Sequence, residues 1–344
     1  MNGNLPTLLS LGGLLIGLVF GVVAQRSSFC TVAAVSNWVL MRDYRQVHAY
    51  LAALGVALIG TGLLEWGGWV AIADSSYRSA RLDWINLSMG GLVFGFGSML
   101  AGGCATRTLI RTAEGNLGAL VILLVLALSA TATLFGVLEP ARGWIAEHSA
   151  LYLSDGRSAF AGWLSVPPAL PAVTGAALCA AVVLRVGDWR DHAGMATAGA
   201  LVGLTIITGW WLTGYLAYDE FQSAPPLSVS VVGPLARGTT YVTLGRITGS
   251  LFGLFLIAGI FAGALLSALV SGSFRLVPPD GSRLGVYLLG GFLMGVGAVM
   301  ASGCNVGQGL TGLATLSLQS VVATTAIVLG MRIGLWWLQR VTSR

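Results

Sequence analysis

Three of the four cysteines stand at one phase of a repeated pattern. Gly17 to Cys30 reads GLVFGVVAQRSSFC, Gly91 to Cys104 reads GLVFGFGSMLAGGC, and Gly291 to Cys304 reads GFLMGVGAVMASGC. In each window a glycine is followed four residues on by a second glycine, and nine residues further by cysteine. A fourth window, Gly199 to Leu212, keeps both glycines and puts leucine in the cysteine's place. A thiol is a weak donor on a soft, polarizable atom. Opposite an anion with a terminal sulfur it can give a weak S–H contact, and three such contacts in series let the anion hop without a deep trap. For that role the thiols should be neutral, because thiolates repel an anion. One buried cysteine alone is ordinarily a small hydrophobe; three at a common phase point to chemistry. Cys179 lies in no window, and packing accounts for it.

The residues around the windows supply charge and loop. Arg26 stands four residues before Cys30 and Arg107 three after Cys104. The stretches Gly102-Gly103-Cys104-Ala105-Thr106 and Ser302-Gly303-Cys304-Asn305-Val306-Gly307-Gln308-Gly309 end apolar runs with small and polar residues, which make poor helix and good loop. Broken backbone at membrane depth is tolerated only against protein or a water-lined cavity. Its free amides, with the positive ends of short helices, form an anion site. Candidate anion contacts are therefore Arg26, Arg107, Asn305 and Gln308, beside the path residues Cys30, Cys104 and Cys304. Both arginines have an ordinary alternative, which is to snorkel to an interface. No CxxC pair or His/Cys cluster suggests a metal, and no cofactor is implied. His48, His148 and His192 fall at span ends or in loops, as do most of the acids, so neither catalysis nor a buried proton-relay carboxylate is expected.

The elements that must carry these residues follow from composition. The 344 residues are 56% apolar and 9% charged, against roughly 25% charged in a soluble domain, so lipid is the solvent for most of the surface. We expect one all-α polytopic membrane domain over residues 1–344. All the basic residues are arginine and the net charge is +5. They fall singly or in small groups between apolar runs, which excludes a nucleic-acid-binding face. A span needs about 20 apolar residues, and nine candidates run approximately over 8–24, 47–72, 85–101, 117–138, 167–184, 194–216, 247–270, 285–301 and 312–337. Shorter apolar pieces at 28–40, 103–112 and 229–243 read as re-entrant. The start lacks a basic n-region and an Ala-x-Ala site, so the first run is expected to be a span and not a removed signal.

With nine spans the termini lie on opposite faces. The amino end outside puts Arg26, Arg42, Arg45, Arg185, Arg190, Arg275, Arg283, Arg340 and Arg344 inside, the side that favours basic residues. Arg78, Arg81, Arg142, Arg157, Arg237 and Arg246 then face out. Corresponding windows are separated by 182 residues (Gly17 to Gly199) and 200 residues (Gly91 to Gly291). That spacing suits a duplicated half, approximately 1–165 and 166–344, with a substrate site where the repeats meet near the midplane.

Nearly the whole chain resembles the YeeE/YedE thiosulfate transporters. The resemblance rests on GLVFGVVAQRSSFC, the GGCATRT stretch, the region from Gly209 to Ala236, and ASGCNVGQGLTG from Ala301 to Gly312. It implies an inner-membrane protein of nine spanning helices, with shorter helices and four central loops in approximate internal symmetry, shaped as an hourglass with a positive exterior cavity. It implies uptake of thiosulfate through the waist past three cysteines, corresponding to Cys30, Cys104 and Cys304, and a small cytoplasmic TusA-like sulfur-carrier protein as partner. Some relatives are linked to selenium or other sulfur species. An intramembrane sulfurtransferase or redox protein using the same cysteines is the alternative of a different class.

Overall fold

The computed structural model describes residues 5–152, 169–185, 193–217, 225–245 and 250–342. Arg157, Arg190, His192, Arg246 and Arg344 lie outside the described residues. The chain folds almost wholly into helix. In lipid no water satisfies a free backbone group, so each apolar run must close its own hydrogen bonds. The helices are α1 (Leu5–Arg26), α2 (Thr31–Met41), α3 (Arg45–Trp66), α4 (Trp84–Leu100), α5 (Ala105–Ala113), α6 (Leu117–Phe135), α7 (Glu139–Ser149), α8 (Ala169–Arg185), α9 (Ala193–Trp211), α10 (Val232–Leu244), α11 (Leu251–Val270), α12 (Leu284–Met300) and α13 (Leu318–Thr342). Short π-helical turns follow α9 and precede α13, at Leu212–Leu216 and Gly307–Gly312.

Among the described residues eight helical segments are long and apolar enough to cross a membrane. The expected span at 167–184 appears as α8, a shorter apolar helix of 17 residues. The pieces expected to be re-entrant are α2, α5 and α10, of 11, 9 and 13 residues; α2 and α5 instead prolong the segments begun by α1 and α4, Pro6–Met41 and Trp84–Ala113. At about 1.5 Å per residue such lengths cannot cross a hydrocarbon core of about 30 Å. Helix α4, with 17 residues, also stops short, and α5 completes its crossing after a break at Cys104.

Glycine explains how the long helices pack. An added Cβ at Gly17 or Gly21 would strike the α11 carbonyls of Leu256 and Ile260, and at Gly91 or Gly95 those of Ala323 and Ile327 on α13. The same holds for Gly199 and Gly203 against Ala49 and Ala53 on α3, and for Gly291 and Gly295 against Ile122 and Leu126 on α6. All four windows thus do one job: their glycines let two backbones touch. The partners are reciprocal. Helix α1 lies parallel to α11 while α9 lies parallel to α3, and α4 lies parallel to α13 while α12 lies parallel to α6. Between these pairs α4 and α12 cross antiparallel, Gly90 meeting Gly297 and Gly97 meeting Gly290.

These directions fix two faces. Arg275 N–H donates to the Glu114 carbonyl at 3.0 Å, which joins the segment after α11 to the turn before α6. We call this the carboxyl face, because α13 also ends there; α1 begins at the opposite, amino face. At the amino face a two-stranded antiparallel ribbon pairs β1 (Arg81–Asp83) with β2 (Ala150–Tyr152), Leu82 opposite Leu151. Exposed Trp66, Trp69, Trp84 and Trp144 gather at that face, whereas Trp38 and Trp336 sit towards the other, beneath Arg332 and Arg340. Aromatic girdles of this kind mark membrane–water boundaries.

Candidate functional site

The three cysteine loops share one backbone construction. Ser28, Gly102 and Ser302, each two residues before a cysteine, adopt the left-handed conformation with φ of 50°, 69° and 54°. The next residue's N–H then reaches back five residues: Phe29 to Ala24 at 3.1 Å, Gly103 to Ser98 at 3.0 Å, and Gly303 to Ala298 at 2.8 Å. This closed turn consumes the free carbonyls of the ending helix. The chain restarts at once, since the carbonyls of Cys30, Cys104 and Cys304 accept from the N–H of Ala34, Thr108 and Gln308 at 3.0, 2.9 and 2.7 Å. Each cysteine is therefore the first residue of a new helical turn, where amides lack intrahelical partners and the helix dipole is positive.

The fourth window departs from this construction. Helix α9 runs on without a break into the π turn, and the role of a loop passes to the irregular segment 225–231. Ser228 there donates to the Ile206 carbonyl at 2.7 Å, and Thr311 donates to the Val229 carbonyl at 2.7 Å. Val229 and Val231 are fully buried. That segment is thus stapled to both α9 and the Cys304 arm.

All three thiols are buried and belong to one apolar core, whereas Cys179 sits in a separate small cluster with Leu58 and Ala176. The buried side chains of Cys30 and Cys104 lie close to each other. Cys304 begins the arm that carries Gly309 and Gly312, where an added Cβ would strike Tyr50 and Tyr77. Tyr50 hydroxyl donates to the Gly309 carbonyl at 2.5 Å, and the hydroxyls of Tyr77 and Ser230 both face Gly307. Burial pushes the Tyr77 phenol well up from its ordinary value, so it keeps its proton at physiological pH.

The four expected anion contacts take different places. Asn305 is 3% exposed, and its Nδ2 finds no partner among the described residues. Thr106, two residues after Cys104, likewise buries an unpartnered hydroxyl. Buried donors are nearly always satisfied, so these two mark places where an acceptor fits. Gln308 is a brace: its Nε2 donates to the carbonyls of Ala301 and Ser302 at 3.0 and 3.1 Å, and its Oε1 accepts from Ser320 at 2.7 Å. Both amide protons hold the Cys304 loop shut, which leaves none for an anion. Arg26 is exposed at the end of α1, where Nε meets Ser267 Oγ at 3.4 Å. Arg107 is half-buried and pairs with Glu114 at 3.5 Å.

Sequence reasoning missed other members of this region. Arg78 was expected in an outer loop, yet its side chain is only 4% exposed. It forks onto Glu65, with Nη2 to Oε2 at 2.9 Å, while Nε donates to the Thr315 carbonyl at 2.8 Å. Glu65, in the last turn of α3, is the counter-charge that makes the burial possible. Trp210 is wholly buried against Tyr77, and its Nε1 has no partner among the described residues. The two rings come from positions 133 residues apart, so no local spacing signals them. Towards the amino face, a cavity of about 150 Å³ is lined by Tyr77, Ser228, Ser230, Arg237, Ser250 and Ser302. These hydroxyls and the guanidinium share the wall with apolar Leu227, Pro234, Phe252 and Leu254, and Ser302 joins it to the Cys304 loop; the positive charge of Arg237 in such a wall draws anions.

Known transporters are similar to this chain along most of its length. Thiosulfate transporter TsuA of Escherichia coli (strain K12) is 26% identical over 349 aligned residues, covering 95% of this chain and 94% of that protein. The TsuA of Spirochaeta thermophila is 30% identical over 341 residues, covering 95% and 98%. The probable transporter YedE of Escherichia coli is 30% identical over 106 residues, 30% of this chain. The sulphur-transport family profile matches residues 26–333, which takes in Cys30, Cys104 and Cys304. With eight helical segments of membrane length among the described residues, this multi-pass membrane chain belongs to the sulphur-transport family.

Proposed function

We propose that this chain takes up thiosulfate across the bacterial inner membrane through a central path lined by Cys304, Cys104 and Cys30. The observation that carries the reading is the convergence of three thiols, each at the start of a broken helix, in one buried core. Thiosulfate has two chemical ends. Its oxygens want N–H and O–H donors, which Asn305, Thr106 and the first-turn amides offer. Its terminal sulfur is soft and suits thiol contacts, so neighbouring cysteines can pass it on. Two relatives covering most of this chain are named thiosulfate transporters, which supports the same substrate.

Entry is from the amino face, where the Arg237-lined cavity meets the Cys304 loop. Exit is at the carboxyl face, which holds Arg42, Arg45, Arg185, Arg275, Arg283 and Arg340 against Arg81, Arg142 and Arg237 opposite. That imbalance supports a cytoplasmic carboxyl face and an external amino end. The reciprocal helix exchange, with α4 and α12 antiparallel between the pairs, supports two inverted halves, approximately 1–165 and 166–344, within one domain. A small TusA-like sulfur carrier would receive the ion inside.

Growth of a sulfate-uptake-deficient bacterium on thiosulfate as sole sulfur source tests the reading. Rescue by the wild type that is lost in Cys104→Ala is expected. Rescue surviving in all three cysteine-to-alanine variants removes the thiol path, and no rescue by the wild type removes thiosulfate in favour of another sulfur or selenium compound.

A further inference from the structure

The carboxyl-face end of the path is closed by a small polar network that the thiol reading does not use. Gln25, buried near the end of α1, donates Nε2 to Glu114 Oε1 at 3.3 Å and to Ser273 Oγ at 3.2 Å, while its Oε1 accepts from Ser267 at 2.8 Å. Arg107 Nη1 approaches the same Glu114 oxygen at 3.5 Å. The network thus joins the approach to the Cys30 loop, the helix that starts at Cys104, and the end of α11. The stem of Arg107 lies over the Cys104 loop, since a Cβ at Gly103 would sit 3.4 Å from Arg107 Cγ. Two more guanidiniums are near: Arg26 on Ser267, and Arg111, whose Nη1 would lie 3.8 Å from a Cβ at Gly102. Glu114 is the carboxylate paired within this group of cations.

The geometry of this pair is that of a loose partnership. A charge-assisted N–H···O bond is normally about 2.7–2.9 Å, and the Arg107–Glu114 contact is 3.5 Å with the two side chains 19% and 20% exposed. Glu114 also keeps the Gln25 amide and some water when Arg107 leaves, so it is not stranded. The Arg78–Glu65 pair is the contrast: bidentate, tied to Thr315 and built to stay. An anion beside Cys104 offers Arg107, whose stem already lies over the Cys104 loop, a competing partner.

Building on the thiosulfate-uptake reading, we propose that Arg107 and Glu114 form a charge-exchange latch at the exit of the path. Arg107 rests on Glu114 when the path is empty and swings to the anion when it reaches Cys104. Glu114 then competes for the same guanidinium and so releases the anion from Cys104 towards Cys30 and the carboxyl face. Arg107 is the contact; Glu114 is a positioning residue that acts through it.

The test is uptake of isotopically labelled thiosulfate into proteoliposomes, with KM and maximal rate measured separately. Glu114→Gln frees Arg107 for the anion, so KM should fall by up to about fivefold, the most a partly exposed ion pair commonly carries, and the maximal rate should fall with it because release slows. Arg107→Gln should raise KM, and the double variant should match Arg107→Gln alone. A merely structural role would lower the rate of Glu114→Gln without tightening KM. Should Glu114→Gln not assemble, Glu114→Asp, which keeps the charge and shortens the reach, should shift KM and rate the same way by a smaller factor. A wild type that transports while the Glu114 variants leave KM unchanged or raised overturns the latch alone. A wild type that takes up no thiosulfate overturns the substrate reading and the latch with it.

Discussion

Replacing Gly95 by alanine tests whether backbone-to-backbone contact between α4 and α13 sets the position of Cys104. The new Cβ would stand 2.8 Å from Met331 N and 3.0 Å from the Ile327 carbonyl carbon, and closer still to that carbonyl's oxygen. Optimal contact for such atoms is about 3.5–4.0 Å. Every obstructing atom is backbone, so none can rotate aside, and the two helices must part by roughly 1 Å. A gap of that size forfeits about a quarter to a half of each contact's attraction along the seam. Overpacking of this kind costs about 1–3 kcal/mol, partly offset by alanine's helix propensity advantage of about 1 kcal/mol over glycine. A net loss of up to about 2 kcal/mol should appear as a lower thermal midpoint of the purified protein. Uptake should fall further than stability does, because Cys104 lies at the end of the displaced helix and a misplacement of about 1 Å can cost on the order of a hundredfold in a positioned site. Gly285→Ala on α12 is the control, since an added Cβ there meets nothing within 4 Å; it should leave uptake intact. Wild-type stability and uptake in Gly95→Ala, or equal damage from Gly285→Ala, would refute the argument.

Three further outcomes follow from the loops and their clamp. Ser302→Gly should raise stability by about 1 kcal/mol, because a non-glycine residue at φ of 54° carries a left-handed cost of about 1–2 kcal/mol; thermal denaturation reads this, and a loss of stability would show that the serine side chain itself holds the turn. Arg78→Gln should destabilise by about 3 kcal/mol, since it strands the Glu65 carboxylate, and a Glu65→Gln/Arg78→Gln double variant should recover part of that loss in the same assay. Cys179→Ala should leave growth on thiosulfate unchanged, because that thiol packs against Leu58 and Ala176 away from the other three; a rescue defect there would place the path elsewhere.

The membrane class and the cysteine loops were legible in the sequence because both rest on local rules. Long apolar runs admit only helix where the backbone has no water, and the Gly-x-x-x-Gly phase with a small residue two before cysteine marks the end of a helix wherever it recurs. The short helices after the cysteines were visible for the same reason, since their lengths fall below a crossing. What helix α4 lies against was not legible. The glycines of a window announce a close neighbour, yet nothing within the window says that Gly95 meets Ile327 while Gly295 meets Leu126. Nor could spacing show that Arg78 turns inward to Glu65 and Thr315, or that Gln308 spends its amide inside its own loop. Those outcomes depend on which groups compete for each donor once the helices are assembled, and that competition exists only in three dimensions. The repeat set the phase of the thiols; the antiparallel crossing of α4 on α12 and the reciprocal pairing around it brought them into one core.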